Sequence, residues 1–83
     1  MNMFYTSDGL RLPYGYCNDR GKVVRYTPEQ TIIKQIVWMR ELGLSTKRIT
    51  KALNEAGVKS RSGGSWFETQ VLRVLDRYYR END

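Results

Sequence analysis

Residues 44–80 read LSTKRITKALNEAGVKSRSGGSWFETQVLRVLDRYYR. The stretch predicts two short helices joined by a basic, glycine-containing connection. Gly43 closes the segment before it, and Ser45 is a natural N-cap for the first of the two helices. Ile49, Ala52, Leu53 and Ala56 recur at helical spacing and leave Lys47, Arg48 and Lys51 outside, so a helix is expected near 46–56. After the connection Gly57-Val58-Lys59-Ser60-Arg61-Ser62-Gly63-Gly64, Ser65 and Glu68 have the spacing of a capping box. The helix expected from there, near 66–80, turns Phe67, Val71, Val74, Leu75 and Tyr78 to one side, with Leu72 and Tyr79 widening that stripe. Thr69, Gln70, Arg73, Arg77 and Arg80 then gather on the opposite side. A basic, amide-bearing face on the second helix of such a pair is what reading DNA in the major groove requires.

Charge supports the same partner class. The eight basic side chains of residues 43–80 (Lys47, Arg48, Lys51, Lys59, Arg61, Arg73, Arg77, Arg80) meet only Glu55, Glu68 and Asp76, so this stretch alone carries the formal net charge of +5. A localised positive surface suits nucleic acid or another acidic partner, whereas a scattered one would be an ordinary solvated exterior. Eighty-three residues allow one domain with a modest core, and the 40% hydrophobic content argues against disorder. The single cysteine, Cys17, has no intrachain partner and fits a reducing cytoplasm. No apolar run approaches the roughly 20 residues that span a bilayer, and no secretory leader opens the chain, so no membrane partner is expected. Histidine is absent, which removes the commonest general base and any His/Cys zinc site. No glycine-rich phosphate loop follows a strand. No enzymatic activity, metal or cofactor is therefore expected.

The preceding residues supply the scaffold. Residues 1–12 show little pattern beyond the turn signal Ser7-Asp8-Gly9 and are expected to form an arm that frays or packs through Met3, Phe4 and Tyr5. Tyr14 and Tyr16 alternate with Gly15 and Cys17, Asn18-Asp19-Arg20-Gly21 is turn-forming, and Lys22-Val23-Val24-Arg25-Tyr26 resumes strand composition. That pattern is a hairpin around a four-residue turn, with the two tyrosines packing inward. Thr27-Pro28-Glu29-Gln30 predicts a helix start, with Thr27 as N-cap, Pro28 at the first helical position and Gln30 completing a capping box. Ile32, Ile33, Ile36, Val37 and Met39 then predict a helix near 28–42 that Gly43 terminates. Trp38 falls off the centre of that stripe; it either covers the hairpin or marks a protein contact. Residues 81–83 read as a frayed tail. The fold class expected is small α+β: an N-terminal β-hairpin packed on a three-helix, helix-turn-helix-like DNA-binding domain spanning residues 13–80.

Laid out in order, Pro13-Tyr14-Gly15-Tyr16, Thr27-Pro28-Glu29, Gly43-Leu44-Ser45 leading to Ile49, Leu53-Asn54-Glu55-Ala56-Gly57-Val58, and then Trp66, Thr69, Val71 and Leu75 make a set. It resembles the recombinase (DNA-binding) domain that follows the catalytic domain in large serine recombinases. The resemblance runs from Pro13 to about Tyr79. It implies a domain that grips part of an attachment-site duplex, with a helix in the major groove and basic loops along the backbone. Two departures matter. Family members usually follow the tryptophan with a capping Ser or Thr, where this chain has Phe67. The nucleophilic serine of that family sits in a separate catalytic domain, so strand cleavage is not expected of these 83 residues, which are either a fragment or a binding module used alone.

The expected function is binding double-stranded DNA with sequence preference. Arg73 is the first candidate for a base contact, because a guanidinium bonds both major-groove acceptors of guanine. Gln70 suits adenine in the same way, and Thr69 can contact either base. Lys47, Arg48, Lys51, Lys59, Ser60, Arg61, Ser62, Arg77 and Arg80 are candidates for the DNA backbone. Trp66, at the start of the last helix, is either a core wedge or a DNA contact, and its size favours the core. Recombination, transcriptional control and origin recognition in a phage or other mobile element all fit such a module, in the cytoplasm of a bacterial or phage-infected cell. A separate catalytic domain or chain is a further candidate partner. The competing expectation is a protein-interaction adaptor that binds a recombinase or replication factor through Trp38, Phe4 and Tyr5.

Overall fold

The computed structural model describes residues 2–82. Two strands, β1 (Tyr16–Asp19) and β2 (Lys22–Arg25), precede three helices, α1 (Thr27–Glu41), α2 (Thr46–Glu55) and α3 (Glu68–Glu81). This is a small α+β fold, as the alternation and helical periodicities predict. The chain divides into two compact units, Met1–Ile33 and Lys34–Asp83.

In the first unit the strands pair antiparallel from Tyr16↔Arg25 to Asp19↔Lys22. The turn is therefore two residues long, not four. Arg20 and Gly21 both take positive φ, +54° and +88°, the combination that matches the right-handed twist of a hairpin. Asn18 Oδ1 accepts from Gly21 N at 2.7 Å, which draws Asn18 and Asp19 into the strand. Leu12, Gly15, Cys17, Glu29 and Ile33 are buried in this unit, while Tyr14 and Tyr16 are only half-buried.

Gly15 ties this hairpin to the first turns of α1. Its N–H donates to Glu29 Oε1 at 2.7 Å, and its carbonyl accepts from Gln30 Nε2 at 2.8 Å. The capping box expected between Thr27 and Gln30 is consequently not made. The helix is entered from Tyr26, whose carbonyl accepts from Glu29 N and Gln30 N, and Thr27 already lies in its first turn. Gly15 has φ +104°, and a Cβ there would fall 2.5 Å from Ile33 Cδ1 and 2.9 Å from Gln30 Nε2. Gly15→Ala is expected to lose about 1–3 kcal/mol of stability, read from urea unfolding; an unchanged midpoint would show that Gln30 and Ile33 yield freely.

Of the two expectations for the N-terminal arm, fraying or packing, the hydrogen bonds of residues 4–12 agree with packing. Thr6 N donates to Leu10 O and Leu12 N to Phe4 O, both at 2.8 Å, and Asn18 Nδ2 reaches Tyr5 O at 2.9 Å. Phe4 meets Tyr26 edge-on with ring centroids 5.4 Å apart.

The second unit holds the rest of α1 together with α2 and α3. Gly43, at φ +97°, ends α1 in a Schellman motif: Gly43 N donates to Arg40 O and Leu44 N to Met39 O. Ser45 caps α2, its side chain accepting from Arg48 N. Gly57 repeats the termination at the far end, with Val58 N donating to Leu53 O. Ile36, Ile49, Leu53 and Val71 are fully buried, one or two from each helix, with Trp66, Val37, Val74 and Leu75 close behind. The expected stripe is narrower than the sequence suggests. Ala56, Leu42, Phe67, Leu72, Tyr79 and Trp38 are exposed.

Candidate nucleic-acid interface

The site is built on α3 and on the connection that delivers it. The connection is a compact, self-bonded turn: Ser60 N donates to Gly64 O and Gly63 N to Ser60 O, both at 2.9 Å. Ser60 is buried, and its hydroxyl shares a hydrogen bond with that of Ser62 at 3.2 Å. The DNA-backbone contact expected of Ser60 is therefore not available, because its side chain closes the loop. Lys59 and Ser62 are exposed at its surface and Arg61 is half-buried.

Asn54 sets where α3 begins. Its Oδ1 accepts from Trp66 N at 2.8 Å and its Nδ2 donates to Trp66 O at 3.1 Å. A side-chain amide pairing with both backbone groups of one residue acts as a single rung of a β-ladder. It holds Trp66 outside any helix and buries the indole to 3% exposure. The capping box expected at Ser65 and Glu68 cannot form ahead of that clamp. The N-cap is Phe67 instead, with φ −116° and ψ 155°. A phenyl ring has no acceptor for the first helical N–H groups, so only the return half of a box exists, in which Gln70 Oε1 accepts from Phe67 N at 2.7 Å.

That bond changes the expected role of Gln70. Bidentate pairing with adenine needs both atoms of the amide, and the oxygen is already holding the helix start. Gln70 is half-buried and serves as a positioning residue. Thr69 and Arg73 remain exposed on the outer face of α3. Arg77 pairs with Glu81 at 3.1 Å, and Arg80 pairs with Asp76, both across one helical turn. Among the described residues Arg73 makes no ion pair or hydrogen bond through its side chain. Its guanidinium is thus free to engage a ligand without first leaving a carboxylate, although exposed pairs of the other kind are weak and easily exchanged.

Lys47, Lys51 and Asn54 follow one another at i, i+4 and i+7, so they form one row along α2. Asn54, the last of that row, is the residue that grips Trp66 just ahead of α3. The basic row of α2 therefore leads to the N-terminal end of α3, and the two helices pack together. Lys47, Arg48 and Lys51 are all exposed. Sequence reasoning missed Asn54 and the exposure of Phe67. A faint signal existed for the first, because asparagine disfavours helix interiors and prefers to bond nearby backbone.

No helix among the described residues is long and apolar enough to cross a membrane. No curated protein and no solved structure matches the chain. A family model does: the one described as Recombinase matches residues 27–78, from the first turn of α1 to the last turns of α3. That span exceeds half of the 83 residues and includes Asn54, Trp66, Thr69 and Arg73. The chain belongs to the Recombinase family.

Proposed function

We propose that this chain binds double-stranded DNA with sequence preference, presenting α3 to the major groove, and carries out no bond-breaking step itself. The observation that carries the reading is the exposed Arg73, unpaired among the described residues, on a helix whose start is fixed by the Asn54 clamp. A reading side chain needs both freedom from internal partners and a rigid mount, since sites on well-held helices are more exact than sites on loops. Thr69 stands one turn before Arg73 as a second base contact. Lys47, Arg48, Lys51, Lys59, Arg61, Ser62, Arg77 and Arg80 supply the contacts to phosphate that fix register without reading sequence.

Selection of bound duplexes from a random library tests the reading directly; recovery of no shared motif would remove sequence preference from it. Arg73→Ala is expected to weaken binding to the recovered motif by about 1–3 kcal/mol and to relax preference at one base pair. Equal losses on motif and random duplexes would make Arg73 a phosphate contact. The setting proposed is a phage or other mobile element in the bacterial cytoplasm, in recombination, origin recognition or transcriptional control.

A second reading has one observation in its favour. Trp38 is 63% exposed, on the α1 segment of the second unit. An exposed indole suits contact with a protein, such as a separate catalytic domain or chain. Phe4 and Tyr5, expected to share that role, are half-buried, and Phe4 is engaged with Tyr26.

A further inference from the structure

Phe67 is 67% exposed at the residue that caps α3, beside a tryptophan that is 3% exposed. Its backbone is held on both sides: the N–H by Gln70 Oε1, and the carbonyl by Gln70 N at 3.0 Å and Val71 N at 3.3 Å. The backbone that carries the ring is thus fixed, and the ring lies in water. Ser, Thr, Asp or Asn at this position would satisfy a free N–H of the first turn, and phenylalanine forgoes that gain. The side chain neither buries its ring nor accepts a hydrogen bond from the first turn of α3.

We infer that Phe67 is a specificity-determining residue that lays its ring against the 5-methyl group of a thymine in the major groove. This rests on the reading of α3 as the helix presented to DNA. Recognition helices contact base edges through their N-terminal residues, and Phe67 sits at that end of α3. An aromatic ring offers no hydrogen bond, so the feature of the groove that it complements is the one apolar group displayed there, the thymine methyl. Six residues separate Phe67 from Arg73, about 9 Å along a helix, which is nearly three base steps of about 3.4 Å. The thymine therefore lies within about three base pairs of the base that Arg73 reads.

Uracil pairs like thymine but lacks the methyl, so it isolates this contact. The probe is the duplex recovered by library selection, with each thymine replaced in turn by deoxyuridine. Binding would be measured for the wild-type chain, Phe67→Ala and Phe67→Ser. Wild type should lose about fourfold in affinity at one thymine, the value of one buried methyl group. Both variants should bind the unmodified duplex about fourfold more weakly and respond no further to uracil at that position. Phe67→Ser should also raise the unfolding midpoint by about 4–8 °C, since serine supplies the missing cap.

Variants that keep the wild-type uracil response at every thymine would overturn the inference while leaving DNA binding intact. So would a wild-type chain indifferent to uracil everywhere. A Phe67→Ser protein less stable than wild type would make the ring a packing residue, with the same consequence. A wild-type chain that binds no duplex at all would remove this inference and the DNA-binding reading together.

Discussion

Replacing Trp66 with alanine is expected to destabilise the protein by about 3–5 kcal/mol, enough to leave little of so small a domain folded. The indole is 3% exposed, and its backbone is pinned by both atoms of the Asn54 amide, so neighbouring groups cannot readily close over the space it would leave. The start of α3 would lose its anchor, and the face carrying Thr69 and Arg73 would lose its orientation. Loss of DNA binding in this variant is therefore expected to follow loss of the fold. Urea or thermal unfolding without DNA checks the order of events. Near-wild-type stability combined with lost binding would make Trp66 a DNA contact and show that the burial matters little.

The elements that could be read from the sequence are those whose signals are local. Gly43 and Gly57 terminate helices because glycine adopts the left-handed conformation that each Schellman motif requires, and the residues that determine this are neighbours in the chain. Ser45 caps α2 for the same reason. Two of the failures, at the starts of α1 and α3, have the opposite cause. Ser65 and Glu68 have the spacing of a capping box, yet Asn54, twelve residues before Trp66, imposes extended backbone there and moves the start to Phe67. Gln30 looks like a cap for Thr27 but bonds to Gly15, fifteen residues away. In both places a long-range hydrogen bond outcompetes a local one, and no window of a few residues contains it.

The same distinction separates the parts of the site. Exposure of Lys47, Arg48, Lys51 and Arg73 follows from helical periodicity alone. The fates of Ser60, Gln70 and Phe67 do not, because each depends on a bond that the folded loop or clamp creates. Periodicity also overstates the buried stripe of α3. Leu72 and Tyr79 fall at its edge, and they stay 51% and 42% exposed along an open groove lined also by Arg40, Thr46 and Leu75.

Raising the salt concentration from 50 to 200 mM is expected to weaken DNA binding by about a thousandfold. Under the proposed reading, seven charged side chains would contact phosphate: Lys47, Arg48, Lys51, Lys59, Arg61, Arg77 and Arg80. If about six of them each displace a condensed counterion, log affinity falls with log salt at a slope near −5. Ser60 and Ser62 carry no charge and do not enter this term. The ion pairs of Arg77 with Glu81 and Arg80 with Asp76 do not remove their arginines from it, since both pairs are exposed and a phosphate can replace the carboxylate. Lys59 and Arg61 provide the internal check, for they flank the buried Ser60 that closes the connection. Replacing both with alanine should weaken binding to every duplex and flatten the slope by about two. An unchanged slope in that variant would mean that the connection faces away from DNA. A shallow slope in the wild-type chain would have a larger consequence. Apolar contacts release few ions, so salt-insensitive DNA binding would rest on apolar contact rather than on phosphate neutralisation and would remove the phosphate roles proposed for these seven side chains.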